Sequence, residues 1–588
     1  MTKLLKNMEK SSTIRMMGLN HKLLLGVLLL AIFTERSEAR LILEQPIKEA
    51  LQNSPITTKT GKSGEQRSKK GLKSAKHPWI SPETFPKNFS WQNVNGVNYL
   101  TQARNQHLPQ YCGSCYAISA VTCLSDRINI LRNGSFPRYN LAVQPILDCS
   151  KHSGTYGCKG GDPKSALKFI KKTAISEESC APYIGKGYLK DGRECNSTSF
   201  CSRCTNFGRC EPVKKFKKFT VEEIGVVNTE QAIMQQIYKY GPLSCGINSK
   251  YLPKGYRGGV IEAPSVGPID HSISVVGWGE EGVGKDGKGG VKYWILRNSW
   301  GEYWGEGGFA KILRGEPRGG SAKIESYCVY SIPKNTWDAE KPPKMSQKSE
   351  RGDGVKIKNL RKVEAQTAQE APNLGDLVLN GDNNPLSMSE YPDEIIKSPT
   401  PASTIKNNDL PEEFFWGDYN SLNLLSWTTT TLAPHLCKSS WAQSALSSLS
   451  DRINIRNQRQ LNSPQRVSLS VQQVINCGGG GNCQSGSLSG VFKYGYFNFL
   501  VGLGCQAYQA TDTLNSASKG NSGKCSSQNI CMDCEKDGFG KSSCFAKPRY
   551  QKWRVSEYGK VRGEIEMKKE VYARGPIVCA FEVSSELL

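Results

Sequence analysis

Hydrophobic positions along the 588 residues fall into three patterns, each predicting a different element. The run "LLLGVLLLAIF" at 23–33 is apolar throughout, follows Lys22 and precedes the small residue Ala39. Such a run is too short to span a bilayer, so it predicts a cleaved secretory signal over 1–39. The stretch "AISAVTCLSDRIN" at 117–129 reads as a helix, whereas "IDHSISVVGWG" at 269–279 alternates like a strand and ends in glycines. Two tracts have neither period. Residues 40–84 are polar and lysine-rich and read as a pro-segment. Residues 334–410 pass through "EKPPKMSQKSERGDG" and "KSPTPASTIKNNDLP" and read as a disordered linker.

On either side of that linker the chain repeats itself. "DRINI" stands at 126 and again at 451, and the same offset relates Trp91 to Trp416, Cys112 to Cys437, Cys158 to Cys483 and Cys180 to Cys505. With small insertions, Cys149, Cys195, Cys201, Cys204, Cys210 and Cys245 correspond to Cys477, Cys525, Cys531, Cys534, Cys544 and Cys579. The length allows two ordinary cores, and the repeat predicts two copies of one domain, at 85–333 and 411–588. The second copy reaches Leu588 before any counterpart of the residues far beyond Cys245, so a truncated domain is expected there.

The 21 cysteines favour an oxidising compartment, and hence the secretory route, lysosomal or extracellular. Of the first copy's cysteines, only Cys115 and Cys123 lack both a counterpart and a place beyond the repeat; the others can form five bridges. Cys123, inside the helical run, reads as a buried apolar residue. Charge changes the picture little: 77 Lys and Arg against 53 Asp and Glu leave a net +24, dispersed over tails and loops. That dispersion argues against a nucleic-acid partner and for solvated faces.

Cys115 lies where a helix begins, and unpaired backbone N–H groups there favour an anionic thiolate. A nucleophile of this kind needs a proton acceptor, and the chain has only six histidines, 21, 77, 107, 152, 271 and 435. His271 sits at the strand-like segment, a place that suits structure as well as catalysis. "YWILRNSWGEYWGEGGF" at 293–309 supplies Asn298, able to fix an imidazole tautomer among aromatics that exclude water. "CGSC" at 112–115 also resembles a thioredoxin-like redox pair, and "CSRC" and "CMDC" could suggest zinc, but neither has a second ligand pair at zinc spacing.

Together "CGSCY", "DHSISVVGWG" and "YWILRNSWGEYWGEGGF" resemble the papain-like cysteine peptidases, and "RNQHLPQYCGSC" is similar to the cathepsin X (cathepsin Z) group within them. The resemblance implies an α+β fold of two lobes, one helical and one barrel-like, with a partial second copy behind the linker. It implies Cys115 as nucleophile, His271 as general base and acid, Asn298 as the orienting amide and Gln106 as a donor to the oxyanion. His107, Trp300, Gly160 and Gly161 fall to substrate binding, with His107 receiving a substrate's terminal carboxylate. A bridge from Cys112 to Cys158 would leave Cys115 free. No metal or cofactor is implied, and the partners are peptide or protein substrates, without stable membrane association once the signal is removed.

The chain departs from the group in places. Tyr116 replaces a tryptophan, Asp270 an asparagine, and 40–84 holds no cysteine for a covalent latch. In the second copy Ser440, Thr431 and Leu432 fall at the positions of Cys115, Gln106 and His107, which predicts a catalytically inert copy that could contact the first. The expected activity is that of a cysteine carboxypeptidase. An endopeptidase of the same mechanism and a pseudoenzyme acting as a binding protein are the alternatives. Asn88, Asn133 and Asn196 head glycosylation sequons, and Arg351 begins an RGD tripeptide read as chance.

Overall fold

The computed structural model describes residues 85–337 and 391–581, apart from short gaps at 152–153, 206–207, 283–289, 316–318, 421, 462–464, 513–524 and 538–540. The signal and pro-segment expected over 1–84, and the RGD tripeptide, lie outside the described residues. Among those described, no helix is long and apolar enough to cross a membrane.

The first copy is built around one buried helix, α1 (Cys115–Leu131), whose residues from Tyr116 to Ile130 are all buried. A helix buried on every side must satisfy its own polar side chains. The repeated "DRINI" does this through backbone groups. Asp126 accepts from Thr101 N at 2.6 Å; Arg127 donates to the carbonyls of Gly241, Pro242 and Ser331; Asn129 exchanges two bonds with Tyr139. In the second copy Asp451 accepts from Ser426 N, Arg452 donates to Gly575 O and Pro576 O, and Asn454 pairs with Val467 in the same manner. The motif recurs because the helix needs it in both copies.

Against α1 packs α2 (Pro163–Thr173), begun by the Asp162 side chain accepting from Ser165 N and by proline in its first turn, burying Leu167, Phe169 and Ile170. The other lobe is a sheet. Its central strands are β1 (Thr220–Val227), β2 (Leu243–Ile247), β3 (His271–Glu281), β4 (Val291–Arg297), β5 (Phe309–Leu313) and β6 (Cys328–Lys334), in the spatial order β1-β6-β2-β3-β4-β5. All these neighbours run antiparallel. The mixed helical and sheet architecture is the α+β fold expected from the sequence.

The second copy repeats the helical lobe with α3 (Ser440–Leu461), α4 (Leu488–Phe497), a hairpin of β7 (Met532–Lys536) and β8 (Ser542–Ala546), and α5 (Glu564–Arg574). Disulfides run in parallel in the two copies: 112–158, 149–195, 180–201 and 204–210 against 437–483, 477–525, 505–531 and 534–544. Cys245 joins Cys328, and Cys115, Cys123 and Cys579 are free.

Part of the tract read as linker is ordered. Residues 391–410 fold onto the second copy, with Ile395 bridging Tyr558 and the Glu557 carboxylate accepting from Lys397 N, Ser398 N and Ser398 Oγ. Polar capping of backbone by one distant carboxylate leaves no hydrophobic period, which is why composition alone misread this stretch.

The copies touch reciprocally. Leu108 is wholly buried against Met532 and Cys534 of the second copy's hairpin. On the equivalent side, Cys204 N of the first copy's hairpin (Ser202–Cys204 paired with Cys210–Pro212) donates to Leu432 O at 2.8 Å.

Candidate active site

Antiparallel pairing places the start of β3 beside the end of β4, with Ser274 opposite Arg297. His271, the first residue of β3, and Asn298, just past β4, therefore share one edge of the sheet. The imidazole Nε2 lies 2.9 Å from Asn298 Oδ1, which also accepts from Ser299 N at 2.8 Å. An amide oxygen can only accept, so Nε2 carries the proton and Nδ1 is left for the thiol. The Trp300 ring covers the pair, its centroid 5.2 Å from that of His271. His271 and Asn298 are buried.

Cys115 is the first residue of α1 and is partly exposed. The preceding Ser114 does not cap the helix, because its hydroxyl is engaged with Tyr183 Oη at 2.7 Å. First-turn N–H groups are thus left near the sulfur. Burial opposes ionisation of the thiol, yet the charge and hydrogen bond of His271, with the N–H groups of Ser272 and Tyr116, bring its pKa below the ordinary thiol value. For His271, burial disfavours the cation, but Cys115, Asn298 and Asp270 outweigh it and raise the imidazole. The arrangement favours a thiolate beside an imidazolium, which can attack a carbonyl and then return a proton to the leaving amine.

Gln106 is tied to this centre from the loop before α1. Its backbone N–H bonds Ser299 O at 2.8 Å, its Oε1 accepts from Ser299 Oγ at 2.6 Å, and Nε2 points to Cys112 O at 3.2 Å. The carboxamide N–H group therefore faces the cysteine loop, where an oxyanion beside Cys115 would form. Gly160 adopts φ +113° with open space where a Cβ would stand, while a Cβ on Gly161 would come within 2.7 Å of the Tyr116 ring. Tyr116 is fully buried and donates to Gly157 O, so the departure from tryptophan leaves a packed aromatic. The substituted Asp270 turns to Ser249, accepting from its N and Oγ.

His107 lies outside the Cys115–His271–Asn298 cluster proper. Its ring stacks between Tyr111, at 5.4 Å, and Trp300, at 6.2 Å. Its Nδ1 is 3.0 Å from the carboxylate of Asp533, a residue of the second copy. Both "CxxC" units are divided between separate disulfides, and Cys112 is bonded to Cys158 rather than Cys115. At the second copy's equivalent helix start stands Ser440, exposed.

Three residues of this site went unread in the sequence. Arg297 and Ser299 flank Asn298 in a segment already singled out, and the third, Asp126, lies in the repeated motif; their roles depend on pairing across the lobes. Arg297 donates to Asp126 at 2.7 Å and to Thr101 O, fastening α1 to the strand that carries Asn298.

Among known proteins, the family described as "Papain family cysteine protease" matches residues 85–332 and 411–588. The chain is 38% identical over 255 residues to cathepsin Z of Onchocerca volvulus, covering 43% of this chain and 79% of that protein. It is 31% identical over 262 residues to cathepsin B-like cysteine proteinase 3 of Caenorhabditis elegans, covering 43% of this chain and 66% of that protein. Of solved structures, a Carica candamarcensis cysteine protease aligns at 28% identity and a TM-score of 0.32, over 42% of this chain and 99% of that one.

Proposed function

Because the chain belongs to the papain family of cysteine proteases, acting on peptide or protein substrates, we propose that its first copy is a carboxypeptidase that removes residues from peptide C-termini. Cys115 attacks the scissile carbonyl, Gln106 Nε2 and the helix-start N–H groups hold the oxyanion, and His271 passes the proton to the leaving group. Water then hydrolyses the acyl-enzyme, with Asn298 keeping the imidazole in one tautomer throughout.

The observation that carries the exopeptidase reading is the position of His107. Its imidazole stacks beside Trp300, the ring that also covers His271, and can meet a substrate's terminal carboxylate a short way past the scissile bond. Gly160, Gly161 and Trp300 line the substrate's path. Residues 1–39 act as a secretory signal and 40–84 as a noncovalently blocking pro-segment. The second copy is inert, the exposed Asn88, Asn133 and Asn196 carry glycans, and the protein resides in the lysosome or outside the cell.

The test is a thiol-directed activity probe on chain freed of residues 40–84 at acidic pH, with Cys115→Ala as control, followed by mass analysis of peptide digestion. Stepwise loss from the C-terminus supports the proposal; internal cleavage or absence of labelling overturns it.

A further inference from the structure

We propose that Asp533, carried by the second copy, determines specificity in the first copy's cleft by occupying the imidazole that would receive a substrate's terminal carboxylate. The inference rests on the carboxypeptidase reading of His107.

The contact is built rather than incidental. His107 Nδ1 and Asp533 Oδ1 are 3.0 Å apart, with the side chains only 13% and 10% exposed. The Asp533 carboxylate is fixed further by Cys534 N at 3.0 Å and by Lys547 Nζ at 3.5 Å. Around it, Leu108 packs on Met532 and Cys534, and Tyr111 N donates to Ser542 Oγ at 2.8 Å. Two residues further along β7, Glu535 meets Lys254 of the first copy at 2.8 Å. The strand thus runs from the loop bearing His107 to the lobe that carries His271, and a carboxylate meets a basic group at each end.

The repeat shows that this acid is particular to the cleft side. Cys534 corresponds to Cys204, so the position equivalent to Asp533 is Arg203, which is exposed. The first copy's hairpin packs by Leu432, the counterpart of His107, where no imidazole awaits a carboxylate. Only the hairpin that faces the candidate active site presents an acid at this position. A terminal carboxylate approaching His107 finds its Nδ1 already engaged by Asp533 and a like charge beside it.

The experiment uses the whole chain freed of its pro-segment, with rates normalised to thiols titrated by an epoxide inhibitor so that misfolded protein drops out. Two peptides differing only in a C-terminal carboxylate or carboxamide report the preference as a ratio of kcat/KM. Asp533→Asn, nearly isosteric, is expected to raise the acid-to-amide ratio at least tenfold through KM, and Asp533→Ala to act in the same direction. An unchanged ratio overturns the inference, and a lowered one overturns it by showing that Asp533 orients His107 for the carboxylate. His107→Ala, alone and combined with Asp533→Asn, separates the two readings. If it lowers the ratio while Asp533→Asn does not raise it, His107 binds the carboxylate and Asp533 is irrelevant. If it changes neither parent's ratio, the reading of His107 itself is wrong.

Discussion

Asp126 and Arg297 pair at 2.7 Å with side chains 0% and 1% exposed, joining the helix that begins at Cys115 to the strand that ends one residue before Asn298. The distance between nucleophile and base is thereby set by a buried ion pair belonging to neither. Removing one member leaves the other charge without its partner in a dry interior. Arg297→Ala should cost about 3–5 kcal/mol of stability, read as a lower denaturant midpoint for the first copy. Its residual native fraction should also label poorly at Cys115.

The thiol and imidazole shift in opposite senses, toward thiolate and imidazolium. Activity needs both charged forms, so kcat/KM should follow a bell. Its acid limb lies below the ordinary thiol range and its alkaline limb above the ordinary imidazole value, both belonging to the pair. In His271→Ala only burial and the N–H groups remain, and the thiol rises. Alkylation of Cys115 at pH 6 should then fall at least tenfold, since each pKa unit is a factor of ten in thiolate. Equal rates in the two proteins would remove the ion-pair account.

Asn298 acts on His271 through its oxygen alone, because Nδ2 has no hydrogen-bond partner. Asn298→Ala should lower kcat by roughly 10²-fold with KM little changed, as the imidazole loses its fixed tautomer. Stopped-flow acylation with an active ester isolates this step.

Gln106 tests whether its N–H group or its packing matters. Its Oε1 is held by Ser299, a contact that Gln106→Glu can keep while losing the donor. Both Gln106→Ala and Gln106→Glu should reduce kcat by about 10²–10³-fold. Full activity in the glutamate variant would mean that the residue only packs.

Restoring a thiol to the second copy should not restore chemistry. Ser440→Cys in a Cys115→Ala background is expected to show no turnover above that background, because Thr431 replaces the oxyanion donor and Leu432 the histidine that would take a terminal carboxylate. Any burst of product from this double variant would contradict an inert copy.

The parts of the site legible in the sequence were those carried by contiguous motifs. Cys115 before an apolar helix, His271 opening an alternating strand and Asn298 among aromatics each announce a local geometry, and the shared cysteine ladder carried the pattern of free and bonded thiols. What escaped was decided by pairing at long range. Asp126 looked like part of a repeat until the sheet brought Arg297 to it. Asp533 meets His107 across most of the chain, a contact that neither copy's own periodicity encodes. The ordered stretch 391–410 was hidden for a related reason: its order comes from partners in the second copy, among them Glu557, Tyr558 and Phe497, not from an apolar period of its own.

The two hairpins and the two loops that receive them form an isologous pair, each copy giving what the other accepts. An interface of that kind closes on itself: once the copies of one chain have met, each offers its matching patch to no neighbour. Gene duplication has here done the work of oligomerisation, and the partner arrives at a fixed stoichiometry of one. The second subunit of this internal dimer is then free to lose its chemistry while keeping the surface that reaches its twin.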